Sequence, residues 1–105
     1  MTALPAPIQN FLDATNRGDA KGVVDSFTAD AMLNDWGRQF DGHAGVASWD
    51  STDNTGVRSR MEVLSFKPSA NGTLVTIRVS GDGYNGTGNL DFSLSGDRIS
   101  QLLIK

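Results

Sequence analysis

The chain has no cysteine and a single histidine, His43, among its 105 residues. The first absence excludes disulfides, thiolate nucleophiles and Cys-ligated metals. The second excludes any metal site built on two imidazoles. A serine–histidine triad would have to run through His43, and no nucleophile-elbow pattern supports one; His43 is expected to be exposed at the start of a helix. Positive charge is also scarce, with 9 Lys and Arg against 12 Asp and Glu and a net charge of −3. The nearest approach to a basic cluster is Arg58 and Arg60, and Glu62 follows them. A nucleic-acid partner held by counterion release is therefore not expected. No apolar run approaches the roughly 20 residues of a spanning helix. The opening MTALPAPIQNF has neither the basic start nor the long apolar stretch of a secretion signal. The expectation is a cytoplasmic protein that binds neither nucleic acid nor membrane and carries no metal or cofactor.

What is present suits one globular domain spanning 1–105, with 38% hydrophobic and 20% charged residues and length enough for a single core. Pro7 suits a helix start. Ile8, Phe11 and Leu12 recur at helical spacing, and Gly18 ends the run. Asp19 can cap a second helix with Ala20, Val23, Val24 and Phe27 on its face. These stripes are too narrow to bury each other and need a sheet. A short strand pair and a third helix carrying Trp49 come next. Val57 to Phe66 then alternates and changes parity at Leu64, which predicts a bulge. Leu74 to Val79, Leu90 to Leu94 and Arg98 to Ile104 follow as strands. Asn71-Gly72, Asn85-Gly86 and Gly96-Asp97 read as hairpin turns, and Gly81, Gly83 and Gly88 predict strong bending. Gly81 to Gly86 fits G-x-G-x-x-G, but a strand follows it, whereas the dinucleotide fingerprint works through a helix N-terminus.

The chemistry-bearing residues gather around FTADAMLNDWGRQFDGHAGVASW. Asp35 sits beside Trp36 at the end of an apolar run, where a desolvated carboxylate can act as a proton carrier or polar anchor. The other reading of Asp35 is a polar strand end paired with Arg38. Arg38 can hold a ligand carboxylate or form that salt bridge. Trp49 is either a core residue or a pocket wall, and Trp36 is expected to be partly exposed. Asp53 and Asn54, placed in a loop after the third helix, can line a pocket rim or serve turn and cap hydrogen bonds.

The order helix, helix, strand pair, helix, antiparallel meander resembles the NTF2-like superfamily, particularly its small bacterial SnoaL-like and ketosteroid-isomerase-like members. Asn16-Arg17-Gly18-Asp19, Phe27-Thr28-Ala29-Asp30-Ala31 and Gly42 carry the resemblance, which covers nearly the whole chain. It implies an α+β cone, with N-terminal helices packed on a strongly curved, mainly antiparallel sheet around an apolar pocket, in a homodimer. It places Asp35 at the isomerases' general base, five residues after Asp30. Their oxyanion-donating Tyr falls on Phe11, which has no hydroxyl. The second donor falls near Asp91, which the alternation with Leu90 and Phe92 turns outward. Tyr84 is an alternative donor if its strand curls inward. The functional expectation is a small-molecule-binding protein for an apolar or carbonyl-containing compound. Asp35 would be its anchor or the general base of a cofactor-independent isomerase, cyclase or hydratase. Trp36, Arg38, Trp49, Phe11, Asp53, Asn54 and Tyr84 would contact the ligand. The alternative is a non-enzymatic ligand carrier or homodimerisation module.

Overall fold

The computed structural model describes residues 3–105, so Met1 and Thr2 of the expected 1–105 domain lie outside the described residues. Helix α1 (Ala6–Asn16) has Pro7 in its first turn, where the missing N–H costs no intrahelical bond. Its buried face is Ile8, Phe11, Leu12 and Thr15, one stripe at 3.6-residue spacing. The chain turns at Gly18, in the left-handed region at φ +72°. Asp19 then caps α2 (Ala20–Asp25) by accepting a hydrogen bond from the Gly22 N–H at 2.9 Å.

Helix α2 stops short of the expected Phe27. Phe27 opens β1 (Phe27–Asp35), from which its ring meets Phe11 edge-on at 5.7 Å. Strand β2 (Arg38–Asp41), α3 (Gly42–Asp53) and a single 3₁₀ turn (Thr55–Val57) follow, then β3 (Arg60–Pro68), β4 (Thr73–Ser80), β5 (Gly86–Ser95) and β6 (Arg98–Ile104). The strand expected from Val57 thus begins three residues later, after Arg58 in a left-handed conformation at φ 53°. Asp53 is the last residue of α3 instead of a loop residue.

The six strands lie in the order β2-β1-β6-β5-β4-β3. Every neighbouring pair is antiparallel except β1 and β6, which run parallel and join the first hairpin to the meander. The bulge expected at Leu64 is there: Val63 pairs with Ile77 and Ser65 with Thr76, leaving Leu64 unpaired. Further irregularities interrupt β1–β6 and β5–β6, and such offsets increase local bend and twist. The fold is α+β, with helices against one face of a curved, mostly antiparallel open sheet.

Two turn expectations need correction. Pro68 pairs with Thr73, so Ser69 to Gly72 is a four-residue loop, not a two-residue turn at Asn71-Gly72. Val79 pairs with Gly86, so Gly86 already belongs to β5. The Asn85 side chain closes that loop instead by donating to the Gly81 carbonyl at 2.9 Å. The two-residue hairpins are Gly96-Asp97, as expected, and Trp36-Gly37 between paired Asp35 and Arg38. In the latter both residues have positive φ, 52° and 91°, the signature of a type I′ turn. Indole at the first of these positions is unusual, since it puts a Cβ where Asn or Gly is favoured.

The core lies between α1, α3 and the inner sheet face. Phe11 is its centre: Phe27 and Phe92 meet it at 5.7 Å, and Trp49 stacks on it at 6.3 Å. Val75, Ile77, Leu90 and Leu102 complete the sheet side.

Candidate functional site

Strand alternation sets the site. In β1, Ala31 and Leu33 are buried on the inner face, so Asp35, two residues further, faces the same side at the strand's end. There Trp49, fixed in α3, donates its indole N–H to Asp35 Oδ2 at 3.0 Å. Arg38, across the hairpin, donates to the same oxygen at 2.9 Å. Arg38 also ion-pairs with Asp53 at the end of α3, and its guanidinium lies 5.6 Å from the centre of the Phe40 ring. The Asp53 carboxylate, and secondarily Asp35, holds the Arg38 pKa above its ordinary value. The Asp35 side chain is 16% exposed. Its Oδ1 takes no protein hydrogen bond among the described residues. The carboxylate is thus oriented through one oxygen, and the other has no protein partner.

Asp35 lines a cavity of about 380 Å³ at this end of the sheet, within the roughly 300–1,000 Å³ of small-molecule sites. Ile77, Leu90 and Ile104 form apolar wall, and Thr52, Ser59 and Thr87 add hydroxyls. Trp36, 78% exposed, borders the mouth from the β1–β2 turn, and Tyr84, 61% exposed, borders it from the β4–β5 loop. Gly88 also faces the cavity from β5. A Cβ built there would meet nothing within 4 Å, so this glycine leaves space open.

Six of the sequence-predicted residues therefore come together: Asp35, Trp36, Arg38, Trp49, Asp53 and Tyr84 all line the cavity. Two do not. Phe11 is fully buried at the centre of the core, its ring packed on three others. Asn54 is also fully buried, donating to Thr15 Oγ1 and to Asp50 Oδ1, each at 3.0 Å. The Asp50 carboxylate ties the end of α3 to the 3₁₀ turn through Thr55, so this buried cluster anchors the turn whose last residue, Val57, lines the cavity. Tyr84 reaches the mouth, but its hydroxyl donates to the Thr87 carbonyl at 2.7 Å. Asp91 lies outside the cavity, yet it is buried, with Ser69 donating to it at 2.7 Å and Lys105 at 3.4 Å. His43 is half-buried instead of exposed, its Nε2 2.8 Å from the Phe27 carbonyl oxygen. The cavity hydroxyls escaped the sequence reading because Thr52, Ser59 and Thr87 sit among polar residues with no distinguishing spacing. Gly88 was legible as a bend, not as an opening.

Among the described residues, no group of three or more His, Cys, Asp or Glu could hold a metal, and no helix is long and apolar enough to cross a membrane. No protein-family model matches the chain, and no curated protein matches it by sequence. Solved structures do. A protein from Sinorhizobium meliloti provisionally described as a polyketide cyclase is 25% identical over 97% of this chain and 95% of its own, with a TM-score of 0.86. The Δ5-3-ketosteroid isomerase of a Mycobacterium species is 19% identical over 95% of this chain and 89% of its own, with a TM-score of 0.78. A Catenulispora acidiphila protein of ketosteroid-isomerase-like fold, solved with trimethylamine, is 11% identical over 98% of this chain and 86% of its own, with a TM-score of 0.84. The chain has the NTF2-like fold in its SnoaL-like, ketosteroid-isomerase-like form.

Proposed function

We propose that the protein binds a compact, mostly apolar small molecule in this cavity, with Asp35 as the polar anchor. One observation carries the reading. A carboxylate held through one oxygen by Trp49 and Arg38 sits above a wall of Ile77, Leu90 and Ile104, so a ligand finds a fixed acceptor at the edge of apolar surface. If the ligand has an acidic C–H beside a carbonyl, Asp35 is the general base of a cofactor-independent isomerase, cyclase or hydratase. Trp36, Trp49 and Tyr84 act as walls, and Arg38 and Asp53 fix the rim.

The non-enzymatic carrier is favoured by a separate observation. Tyr84 spends its hydroxyl on Thr87 and Phe11 has none, so neither supplies the O–H that would stabilise a developing enolate. Titration with 2-naphthol, which mimics an enolate when ionised, and with naphthalene, its apolar parent, tests both. Tighter binding of the naphtholate supports the base. Equal binding of the two leaves the carrier, and no saturable binding of either sinks the pocket.

We further propose a homodimer through the outer sheet face. Leu74 and Leu103 are paired with Asp91 there, on either side of it and only partly buried, and the core-forming helices lie on the opposite face. Sedimentation showing only monomer at high concentration would discard it.

A further inference from the structure

We propose that the cavity selects a ligand whose polar end is a cation, an ammonium or quaternary ammonium group attached to an apolar body. The inference rests on the small-molecule reading above and names the chemistry of its anchor point. The side chains lining the cavity include two carboxylates, Asp35 and Asp53, and one guanidinium, Arg38. The single cation is already committed: it pairs with both carboxylates and lies beside the Phe40 ring. Arg58, which lies in the chain between the lining residues Val57 and Ser59, is not itself part of the lining and pairs with Asp82, its Nε 2.7 Å from that carboxylate. The remaining polar side-chain groups of the lining are neutral hydroxyls and the Trp49 N–H, which already points at Asp35. The formal balance of the lining is therefore one negative charge in excess, and Asp35 Oδ1 has no hydrogen-bond partner among the described residues.

Two further features suit a cation over a neutral donor. Trp36 and Tyr84 border the mouth with largely exposed rings, and aromatic faces attract ammonium groups, most strongly where water is partly excluded. The deeper wall is apolar and takes the uncharged body. The same charge excess disfavours an enolate or carboxylate ligand, so the proposal sets the anchoring role of Asp35 above the proton-abstracting one.

The test is calorimetric titration with three probes of similar size. These are benzyltrimethylammonium, its uncharged carbon isostere neopentylbenzene, and the anion phenylacetate. The cation is expected to bind roughly tenfold or more tighter than either other probe, and its affinity alone should fall steeply as salt is raised. In Asp53→Asn, which leaves Asp35 and Arg38 as a balanced pair, the ratio of cation to neopentylbenzene affinity should drop by about tenfold. The salt series on the wild-type protein needs no variant to fold. If neopentylbenzene or phenylacetate binds as well as the cation, the charge inference falls and the cavity reading stands. If none of the three gives saturable heat, both fall.

Discussion

The inner sheet face is built by one rule of alternation from end to end, yet its two halves behave differently. Around Phe11 three aromatic rings close the space, and all four rings are buried. At the other end the same strands run out into Asp35, Gly88 and Ile104, and a cavity remains. Trp49 belongs to both: its ring stacks on Phe11 while its N–H points at Asp35. Helix coverage makes the difference. Helix α1 lays Ile8, Phe11 and Leu12 over one half, whereas the end of α3 offers the other only Thr52 and Asp53. Aromatic packing is concentrated in one half, and open space lies in the other.

The sharpest way to break the closed half is Phe11→Ala. It removes the ring that three others pack on and should cost about 3–5 kcal/mol, read by urea denaturation. A loss below about 1 kcal/mol would mean the core re-collapses around the gap and the two halves are not distinct. The matching change in the open half is Gly88→Leu. A side chain there enters empty space, and glycine within a strand is itself unfavourable by about 0.5–1 kcal/mol. Stability should hold or rise slightly while ligand binding disappears. A Leu that destabilises the fold as strongly as the Phe11 variant would show that the cavity closes in solution.

The closed half was the more legible in sequence, for a physical reason. Ile8, Phe11 and Leu12 recur at the helical period, Val75, Ile77 and Val79 at the strand period, and the parity change at Leu64 located a bulge that the pairing contains. Each is a local signal, because burial imposes the period on neighbouring residues. The parallel pairing of β1 with β6 has no such signal, since it joins strands some seventy residues apart in the chain. The Asn-Gly pairs misled because the same dipeptide suits two-residue turns and the ends of longer loops. At the site, Asp35 was legible as a carboxylate closing an apolar run. Phe11 and Asn54 were misassigned because neither their residue types nor their spacing says which half of the inner face they join. Asn54 is drawn inward by Thr15, 39 residues away in the chain.

A finer probe is Asp35→Asn, which keeps an acceptor for Trp49 but removes the charge facing Arg38. Because Arg38 is more than half exposed, the ion pair is screened, and the loss should be about 1 kcal/mol. Unfolding of both proteins at neutral pH measures it. A gain in stability would show instead that the wild-type protein carries an unfavourable charge at the mouth, as sites retained for function often do. Either sign leaves the cavity intact, so ligand titration of the variant isolates the anchor from the walls.

The smallest expected effect contrasts Asp35 with Asp19, the carboxylate that caps α2. Asp19 also has an arginine beside it, Arg17 at 2.8 Å, but it is not part of this cavity's lining. Its pKa lies below the ordinary carboxylate value, first because the Gly22 N–H donates to it and next because of Arg17. A pKa depressed in the folded state means stability that is present above the unfolded value and lost as pH falls through the folded one. Thermal midpoints of the wild-type protein should therefore decline below about pH 4, and Asp19→Ala, already slightly less stable at neutral pH, should decline less steeply. Ligand affinity at neutral pH should be the same in both. If removing this cap weakened binding as Asp35→Asn is expected to, the proposed division between a half that holds the fold and a half that holds the ligand would fail.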